Sequence, residues 1–205
     1  MAFLDLPACR NARDVGGVPL TGGRAVAEGV LLRTDNHDKL TPAGIDAVRR
    51  LGVRRILDVR HAWEAREFPS PFASDPIYAN VPLDRDRPEF DPNAQDDYRT
   101  LTDTPGTIAA AFTALAEAPD GPVMVHCHGG RDRTGVLVAL ALAVAGASDE
   151  AIAAEYALTD GTDPETMTAF LADLRERHGG AEGFLTGAGV AARHFEAVRR
   201  RLDGG

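Results

Sequence analysis

The sequence predicts an α/β fold in which a central, mostly parallel sheet is flanked by helices. Short apolar runs rich in β-branched residues are typical of buried strands, and they alternate with longer segments that have helical patterns. Glycine and proline residues separate these segments. The chain has 205 residues, of which 44% are hydrophobic, so it is long enough to bury a sizeable core. We therefore expect a single domain over residues 1–205.

In the first half of the chain, the pattern indicates short strands and one helix. Thr41 is the predicted N-cap of this helix, Pro42 occupies its first turn, and Gly52 ends it. The predicted elements are short strands in a glycine-rich segment over 11–33, a helix from Thr41 to about Leu51, and buried strands over Arg54–Val59 and Ile77–Val81.

The second half is predicted to be mainly helical. Residues 84–103 are rich in Asp, Pro and Arg and predict a surface loop. Pro122–His126 is an apolar run that predicts a buried strand, and residues 134–145 are apolar on every face, as in a helix central to a core. This helix is shorter than the roughly 20 residues that a membrane span needs. The other predicted helices are Thr104–Ala118, Ser148–Leu158, Asp163–Arg177 and Gly189–Leu202.

The loop that joins this strand to this helix has the sequence His126-Cys127-His128-Gly129-Gly130-Arg131-Asp132-Arg133-Thr134-Gly135. Its two central glycines permit the tight or left-handed conformations that turn backbone N–H groups towards an anion. Arg133 offers a planar set of donors suited to phosphate, and the helix directs its positive end to the same place. This field favours the thiolate form of Cys127, which is the nucleophile. The loop therefore predicts a phosphatase.

The predicted reaction has two steps, in which Cys127 attacks phosphorus and water then hydrolyses the phosphocysteine. Backbone N–H groups from about 128 to 133 stabilise the phosphoryl charge together with Arg133. Thr134 can donate a hydrogen bond to the departing sulfur, and His126 orders the loop from behind. The predicted phosphate-binding residues are His128, Gly129, Gly130, Arg131, Asp132 and Arg133, and the predicted supporting residues are His126, Gly135, Asp58 and Arg60.

The loop resembles the signature of cysteine-dependent protein tyrosine phosphatases, His-Cys-x-x-Gly-x-x-Arg-Thr/Ser-Gly. It is more similar still to a bacterial branch, which contains the mycobacterial tyrosine phosphatase B and has His-Cys-x-Ala-Gly-Lys-Asp-Arg-Thr-Gly here. Gly129 replaces the usual alanine, and Arg131 replaces the usual lysine. The resemblance implies a tyrosine phosphatase-like fold, and it extends to Asn11–Gly17, Leu32–Asp35, Ile56–Arg60 with Glu64, and Gly183–Leu185.

The resemblance leaves the general acid open between two aspartates. Asp132 is favoured because its position in the family suggests this role. Asp84, with Asp86 beside it, follows a strand where related phosphatases commonly carry an acidic loop, although a solvated surface aspartate is the simpler interpretation. Asp58 lies two residues before Arg60, where it is expected to order a loop by pairing with a basic side chain.

The expected substrate is a phosphorylated protein carrying phosphotyrosine. A basic residue at 131 resembles phosphatases that also accept phosphoinositides, since extra phosphates require extra positive charge. Arg131 could instead pair only with an acid such as Asp132 or Asp58. Two other functions remain open: an inactive phosphate-binding adaptor, and an arsenate-reductase or sulfurtransferase-like use of the thiolate with Cys9 as the second thiol.

Composition excludes some classes of binding partner and indicates a cellular compartment. A net charge of −9 argues against a general nucleic-acid or anionic-membrane surface. Two cysteines are too few for a disulfide scaffold and suit a reducing compartment. The start of the chain has no evident secretory signal, so a cytoplasmic protein is expected, although signal-less export is compatible with the sequence. We expect no cofactor, no metal and no transmembrane segment, and the oligomeric state is open.

Overall fold

The computed structural model describes residues 2–85 and 102–204. Its strands are β1 (Ala2–Phe3), β2 (Arg13–Asp14), β3 (Pro19–Leu20), β4 (Arg24–Ala25), β5 (Leu31–Thr34), β6 (Arg55–Asp58), β7 (Tyr78–Asn80) and β8 (Val123–His126). Its α-helices are α1 (Pro42–Arg50), α2 (Ala62–Glu67), α3 (Pro105–Ala116), α4 (Asp132–Ala145), α5 (Asp149–Tyr156), α6 (Pro164–His178), α7 (Ala181–Gly187) and α8 (Ala192–Asp203).

The main sheet has the order β1-β2-β5-β8-β6-β7, while β3 and β4 form a separate hairpin. β8 pairs in parallel with both β5 and β6, and β7 pairs in parallel with β6. β1 and β2 are antiparallel additions at the other edge. The prediction of a central, mostly parallel sheet is therefore confirmed. In this register, the last residue of β8, His126, lies opposite both Thr34 and Asp58.

Helices cover both faces of this sheet, as predicted. Consecutive side chains of a strand point to opposite faces, and the three central strands divide their apolar residues accordingly. The larger core cluster also contains residues of α3 to α8, whereas the smaller one contains residues of α1. Leu31, Leu57 and Val125 belong to the larger cluster, and Leu32, Ile56 and Met124 to the smaller one.

Helix α4 is the central helix of the larger layer. All of its residues except Ala143 are buried, as expected for a helix that is apolar on every face. It ends at Gly146, whose φ of 95° lies in the left-handed region that glycine adopts at helix ends. The prediction of a buried helix directly behind the loop is confirmed.

The local signals in α1 are also confirmed. The Thr41 hydroxyl accepts a hydrogen bond of 3.2 Å from the backbone N–H of Gly44, and Pro42 begins the helix. Gly52, with a φ of 70°, follows the last turn. The predicted bounds of β6, β7 and β8 differ from the observed ones by at most one residue at each end.

The end of the chain differs from the prediction. A helix from Gly189 was expected, but α8 begins at Ala192, and a separate helix, α7, comes before it. Gly189 has a φ of 96°, which a helix cannot continue through. Helix α2 was also not predicted, because its cap is the unusual residue His61 rather than Ser, Thr, Asp or Asn.

Most of the surface loop predicted over 84–103, including Asp86 and Asp91, lies outside the described residues. Of the helices in the described ranges, none has the length and apolarity that crossing a membrane requires.

Candidate active site

The cysteine loop lies where the three central strands end. Cys127 directly follows β8 and is only 3% exposed, and α4 begins at Asp132. Because β5, β6 and β8 are parallel, their carboxyl ends meet at this edge of the sheet. Ligands commonly bind at this position in open α/β sheets.

Hydrogen bonds from buried neighbours hold the loop carbonyl groups. The His128 carbonyl accepts from the backbone N–H of Asn36 at 2.9 Å. The Gly130 carbonyl accepts twice, from the Asn11 amide at 2.8 Å and from the Arg33 guanidinium at 2.6 Å. The N–H and C=O groups of a trans peptide unit point in opposite directions. The N–H groups that follow these carbonyls therefore point away from the neighbours, as an anion-binding loop requires.

The two loop glycines differ in whether their conformation and surroundings require glycine. Gly130 has a φ of 63°, and a Cβ atom there would lie 2.4 Å from the carbonyl oxygen of Thr34. Gly129 has no positive φ, and a Cβ atom there would meet only the Cβ of Arg131 at 3.9 Å. Of the tight or left-handed conformations expected at these glycines, the left-handed one is found at Gly130 and not at Gly129.

Arg133 is held in a buried ion pair with Glu64 of α2. Its Nη2 atom lies 3.1 Å from Oε1 of Glu64, and its Nη1 atom contacts Oε2. Glu64 also accepts from the backbone N–H of His61 at 2.9 Å, which completes the cap of α2. Burial alone would raise the pKa of Glu64, but hydrogen bonds from His61 and Arg133 lower it to about 2. Glu64 therefore fixes the guanidinium beside the loop, a role that the sequence did not indicate beyond the resemblance.

A second buried ion pair lies at the end of β6. Arg60 donates from Nε to Asp58 at 2.9 Å, and the Tyr78 hydroxyl donates to Asp58 at 2.6 Å. Arg60 also donates to the Asn36 side chain at 2.8 Å, and Asn36 in turn holds the loop through His128. Burial would raise the pKa of Asp58, but these partners and His126 lower it. The ion pair of Asp58 and Arg60 is thus connected to the loop through a single residue, Asn36.

Two buried histidines stack behind the cysteine. The rings of His126 and His37 lie 4.0 Å apart with an interplanar angle of 23°. Nδ1 of His126 is 3.2 Å from the Cys127 carbonyl oxygen, and Nε2 of His37 is 2.8 Å from the Thr34 hydroxyl. Complete burial lowers the pKa of both rings. His37 was not among the predicted residues, because a lone histidine carries no recognisable spacing.

Asp132, the first residue of α4, contacts Arg131 and Tyr156. Arg131 donates from Nε to its Oδ2 atom at 2.9 Å, and the Tyr156 hydroxyl lies 3.4 Å from its Oδ1 atom. Arg131 thus makes one of the acid pairings that the sequence left open. In the same turn of α4, the Thr134 hydroxyl is fully buried, and no described residue forms a hydrogen bond with it.

Asp84 is buried rather than solvated. It is 1% exposed, and it accepts from the Arg85 backbone N–H at 2.7 Å and from the Thr104 hydroxyl at 3.3 Å. Its other oxygen is 3.8 Å from Nε2 of His61. Burial would lower the pKa of His61, but Asp84 and Glu64 raise it. The simpler interpretation of Asp84 as a surface aspartate is therefore wrong.

The fold brings the loop residues, Asp58 and Arg60 to one edge of the sheet. Among residues 2–85 and 102–204, no group of three or more His, Cys, Asp or Glu side chains is placed to hold a metal ion. A Cys-x5-Arg loop between a parallel strand and a buried helix defines the class of cysteine-dependent phosphatases.

Comparison with known proteins places the chain within that class. Residues 4–203 match the family described as the tyrosine phosphatase family, so the chain belongs to this family. A tyrosine-protein phosphatase of Nostoc commune is 26% identical over 90% of this chain and 78% of its own length. The triple specificity protein phosphatase PtpB of Mycobacterium tuberculosis is 27% identical over 99% of this chain and 90% of its own length. The chain is thus a hydrolase whose substrates are phosphorylated proteins.

Proposed function

We propose that this enzyme hydrolyses phosphotyrosine in proteins through a phosphocysteine intermediate on Cys127. The observation that carries the proposal is the anchored loop. Its carbonyls are bonded to buried donors on the outside, and Arg133 is fixed by Glu64 beside it. Such preorganised donors stabilise the charge that spreads over a transferring phosphoryl group, and one donor contributes about 3 kcal/mol.

In the first step, the Cys127 thiolate forms an S–P bond as the P–O bond to the tyrosine oxygen breaks. The electron pair of that bond leaves with the phenolic oxygen, which takes a proton from Asp132. In the second step, water forms a new P–O bond and gives a proton to Asp132, and the S–P bond breaks to regenerate the thiolate. Thr134 supports this departure by donating its buried hydroxyl to the sulfur.

Asp132 is favoured over Asp84 as the general acid because of its position. Asp132 belongs to the loop itself, whereas Asp84 is engaged by Thr104 and lies beside a histidine whose pKa is raised. A positively charged neighbour stabilises the carboxylate form of an acid. Asp132 has such a neighbour in Arg131 at 2.9 Å and Asp84 has one in His61 at 3.8 Å, so the preference for Asp132 rests on its place in the loop.

Phosphoinositide hydrolysis is the alternative activity that we consider for the same site. Arg131 would supply the additional positive charge that such a substrate requires. However, its Nε atom is bonded to Asp132 at 2.9 Å, which offsets part of that charge. We therefore place phosphotyrosine first, and a phosphoinositide panel is the next assay after the phosphotyrosine test.

A redox use of the thiolate is disfavoured. Burial, followed by Asp35, raises the pKa of Cys9 to about 12. Only a thiolate attacks a disulfide or displaces an oxidised sulfur, so Cys9 is a poor resolving thiol. The adaptor alternative is opposed by the presence of both Cys127 and Arg133.

The test is phosphate release from a phosphotyrosine peptide in excess chelator. Wild type and Cys9→Ser should turn over, and Cys127→Ser should be inactive while it still binds the peptide. A trapped phosphorus–sulfur adduct in wild type would identify the intermediate. Binding without turnover in wild type would favour the adaptor, and activity in Cys127→Ser would refute the mechanism.

A further inference from the structure

A buried group of three charged side chains lies beneath the loop. Glu155, on α5, accepts from Arg13 Nε at 2.8 Å through one carboxylate oxygen. It accepts from Arg33 Nη1 at 2.7 Å through the other. The side chains of both arginines are 0% exposed and that of Glu155 is 2% exposed. One carboxylate therefore holds two guanidinium groups away from solvent.

This group is joined directly to the loop backbone. Arg33 uses its Nη2 atom to donate to the Gly130 carbonyl at 2.6 Å. The Asn11 amide donates to the same carbonyl at 2.8 Å, and its oxygen accepts from Arg13. Glu155 thus holds one donor of the Gly130 carbonyl, Arg33, directly, and its partner Arg13 holds the other donor, Asn11.

Stability alone does not account for this arrangement. Burying charges costs several kcal/mol per ion, and apolar replacements of a buried ionic group are often equally stable or more stable. The two arginines also oppose each other, since burial and the neighbouring Arg33 lower the pKa of Arg13 to about 10. Only the carboxylate of Glu155 offsets that repulsion within the group.

We propose that Glu155 is a positioning residue of the phosphate loop, which keeps Arg33 and Arg13 in the geometry that anchors the Gly130 carbonyl. When this carbonyl is anchored, the following N–H group is directed to the bound oxyanion. Without Glu155, two unpaired guanidinium groups would separate, and the peptide unit after Gly130 would be free to turn. The role in turnover rests on the proposed function, but the effect on anion binding does not.

The experiment measures anion binding by the loop and the reactivity of Cys127, neither of which requires turnover. Wild type and Glu155→Gln are titrated with tungstate, a phosphate-like oxyanion, by calorimetry. The rate of Cys127 alkylation by iodoacetamide is followed against pH by peptide mass spectrometry. The neutral amide has an NH2 donor in place of one carboxylate oxygen, so in this geometry one of the two arginines loses its acceptor. We therefore expect at least about tenfold weaker tungstate binding, the size of loss found when a residue that orients a metal ligand is removed, and an alkylation midpoint at higher pH.

Val198→Ala is the matched control for lost stability. Val198 is fully buried on α8, one turn before Arg201. Arg201 bonds the carbonyls of residues 118 and 121, ahead of β8 and thus at its opposite end from the loop. This variant should lower the unfolding temperature but leave tungstate affinity and the alkylation profile unchanged.

Wild-type tungstate affinity and alkylation in Glu155→Gln would overturn the inference, whatever its unfolding temperature. If Glu155→Gln does not fold, tungstate binding by Asn11→Ala tests the inference instead. This variant removes a donor to the Gly130 carbonyl without leaving a buried charge unpaired. Unchanged tungstate affinity in Asn11→Ala would then overturn the inference, and weaker binding would support it. If wild type has no phosphatase activity but Glu155→Gln still weakens tungstate binding, the proposed function fails and the positioning role stands.

Discussion

At the scale of single residues, the two adjacent loop glycines differ in what the backbone requires of them. Gly130→Ala would place a Cβ atom 2.4 Å from the Thr34 carbonyl oxygen in a left-handed conformation. That conformation alone costs about 1–3 kcal/mol for a residue with a side chain. We expect the variant to lose most of its affinity for inorganic phosphate and its activity.

Gly129→Ala is the control for this prediction, since its Cβ atom would meet only ordinary contact with Arg131. It should bind phosphate and turn over within a few-fold of wild type. Phosphate titration and steady-state kinetics on both variants check the pair. Equal losses in the two variants would contradict the geometric argument.

The general acid is also decided at this scale. Asp132→Asn should reduce kcat on a phosphotyrosine peptide by about 10²–10⁴-fold, the range typical of a lost general acid. The loss should be smaller on p-nitrophenyl phosphate, whose leaving group needs less protonation. Leaving-group series for Asp132→Asn and for the matched variant Asp84→Asn check this. If only Asp84→Asn became sensitive to the leaving group, Asp84 would be the acid.

At the scale of elements, the packing of α4 against α5 explains Gly135. A Cβ atom at Gly135 would lie 3.0 and 3.1 Å from two ring atoms of Tyr156. Gly135→Ala should therefore lower the free energy of unfolding, since overpacking costs about 1–3 kcal/mol, even though alanine favours the helix. Thermal and denaturant unfolding measure the change.

Gly187→Ala is the matched variant for that measurement. Gly187 ends α7 with no positive φ, and a Cβ atom there meets no described atom within 4 Å. Alanine should be neutral or stabilising by up to about 1 kcal/mol, because it restricts the unfolded chain. Stabilisation by Gly135→Ala of the same size would show that Tyr156 moves freely.

Elements differ in how far local sequence predicts them. Helix α1 has Thr41, Pro42 and Gly52 at the positions that caps and breakers require, and its bounds were predicted closely. Helix α2 spans only Ala62–Glu67, and its capping partner Glu64 is held by Arg133 from another part of the chain. Its stability comes from tertiary contacts, which a local pattern does not contain.

At the scale of the whole molecule, the buried ionisable groups make the fold sensitive to acid. The pKa values of His37 and His126 lie below the ordinary 6.5. As the pH falls, these histidines therefore bind protons in the unfolded chain at a higher pH than in the folded protein. Their contribution to stability is full above pH 6.5 and is lost as the pH falls towards the folded values. Glu64 acts in the same direction, and its contribution is lost between its ordinary pKa of 4.5 and about 2. His61, with a raised pKa, acts in the opposite direction above pH 6.5.

We therefore predict that the free energy of unfolding falls as the pH is lowered from 6.5 to 4.5. Each proton bound only by the unfolded chain contributes about 1.4 kcal/mol per pH unit. His37→Gln removes one such site and should give a shallower slope in this range. Denaturant unfolding at several pH values, with the exposed His178→Gln as control, measures it. An unchanged slope in His37→Gln would show that His37 does not carry the effect.

Local sequence was sufficient for the loop and for the order of the elements around it. The spacing of Cys127 and Arg133, the apolar strand before them and the apolar helix after them depend on neighbours in the chain. Backbone preference and side-chain periodicity act over such short distances. The sheet type and the buried α4 could therefore be predicted from these patterns.

The tertiary structure decided which distant residues hold that loop. Glu64 and Asn11 contact the loop directly, and Glu155 acts on it through Arg33. These residues lie in separate parts of the chain, and their contacts depend on the packing of helices on the sheet. It also decided that Asp84 is buried and that Gly129, unlike Gly130, has room for a side chain. These facts follow from distances between remote segments, which only the assembled core establishes, because burial and ion pairing arise when those segments exclude water together.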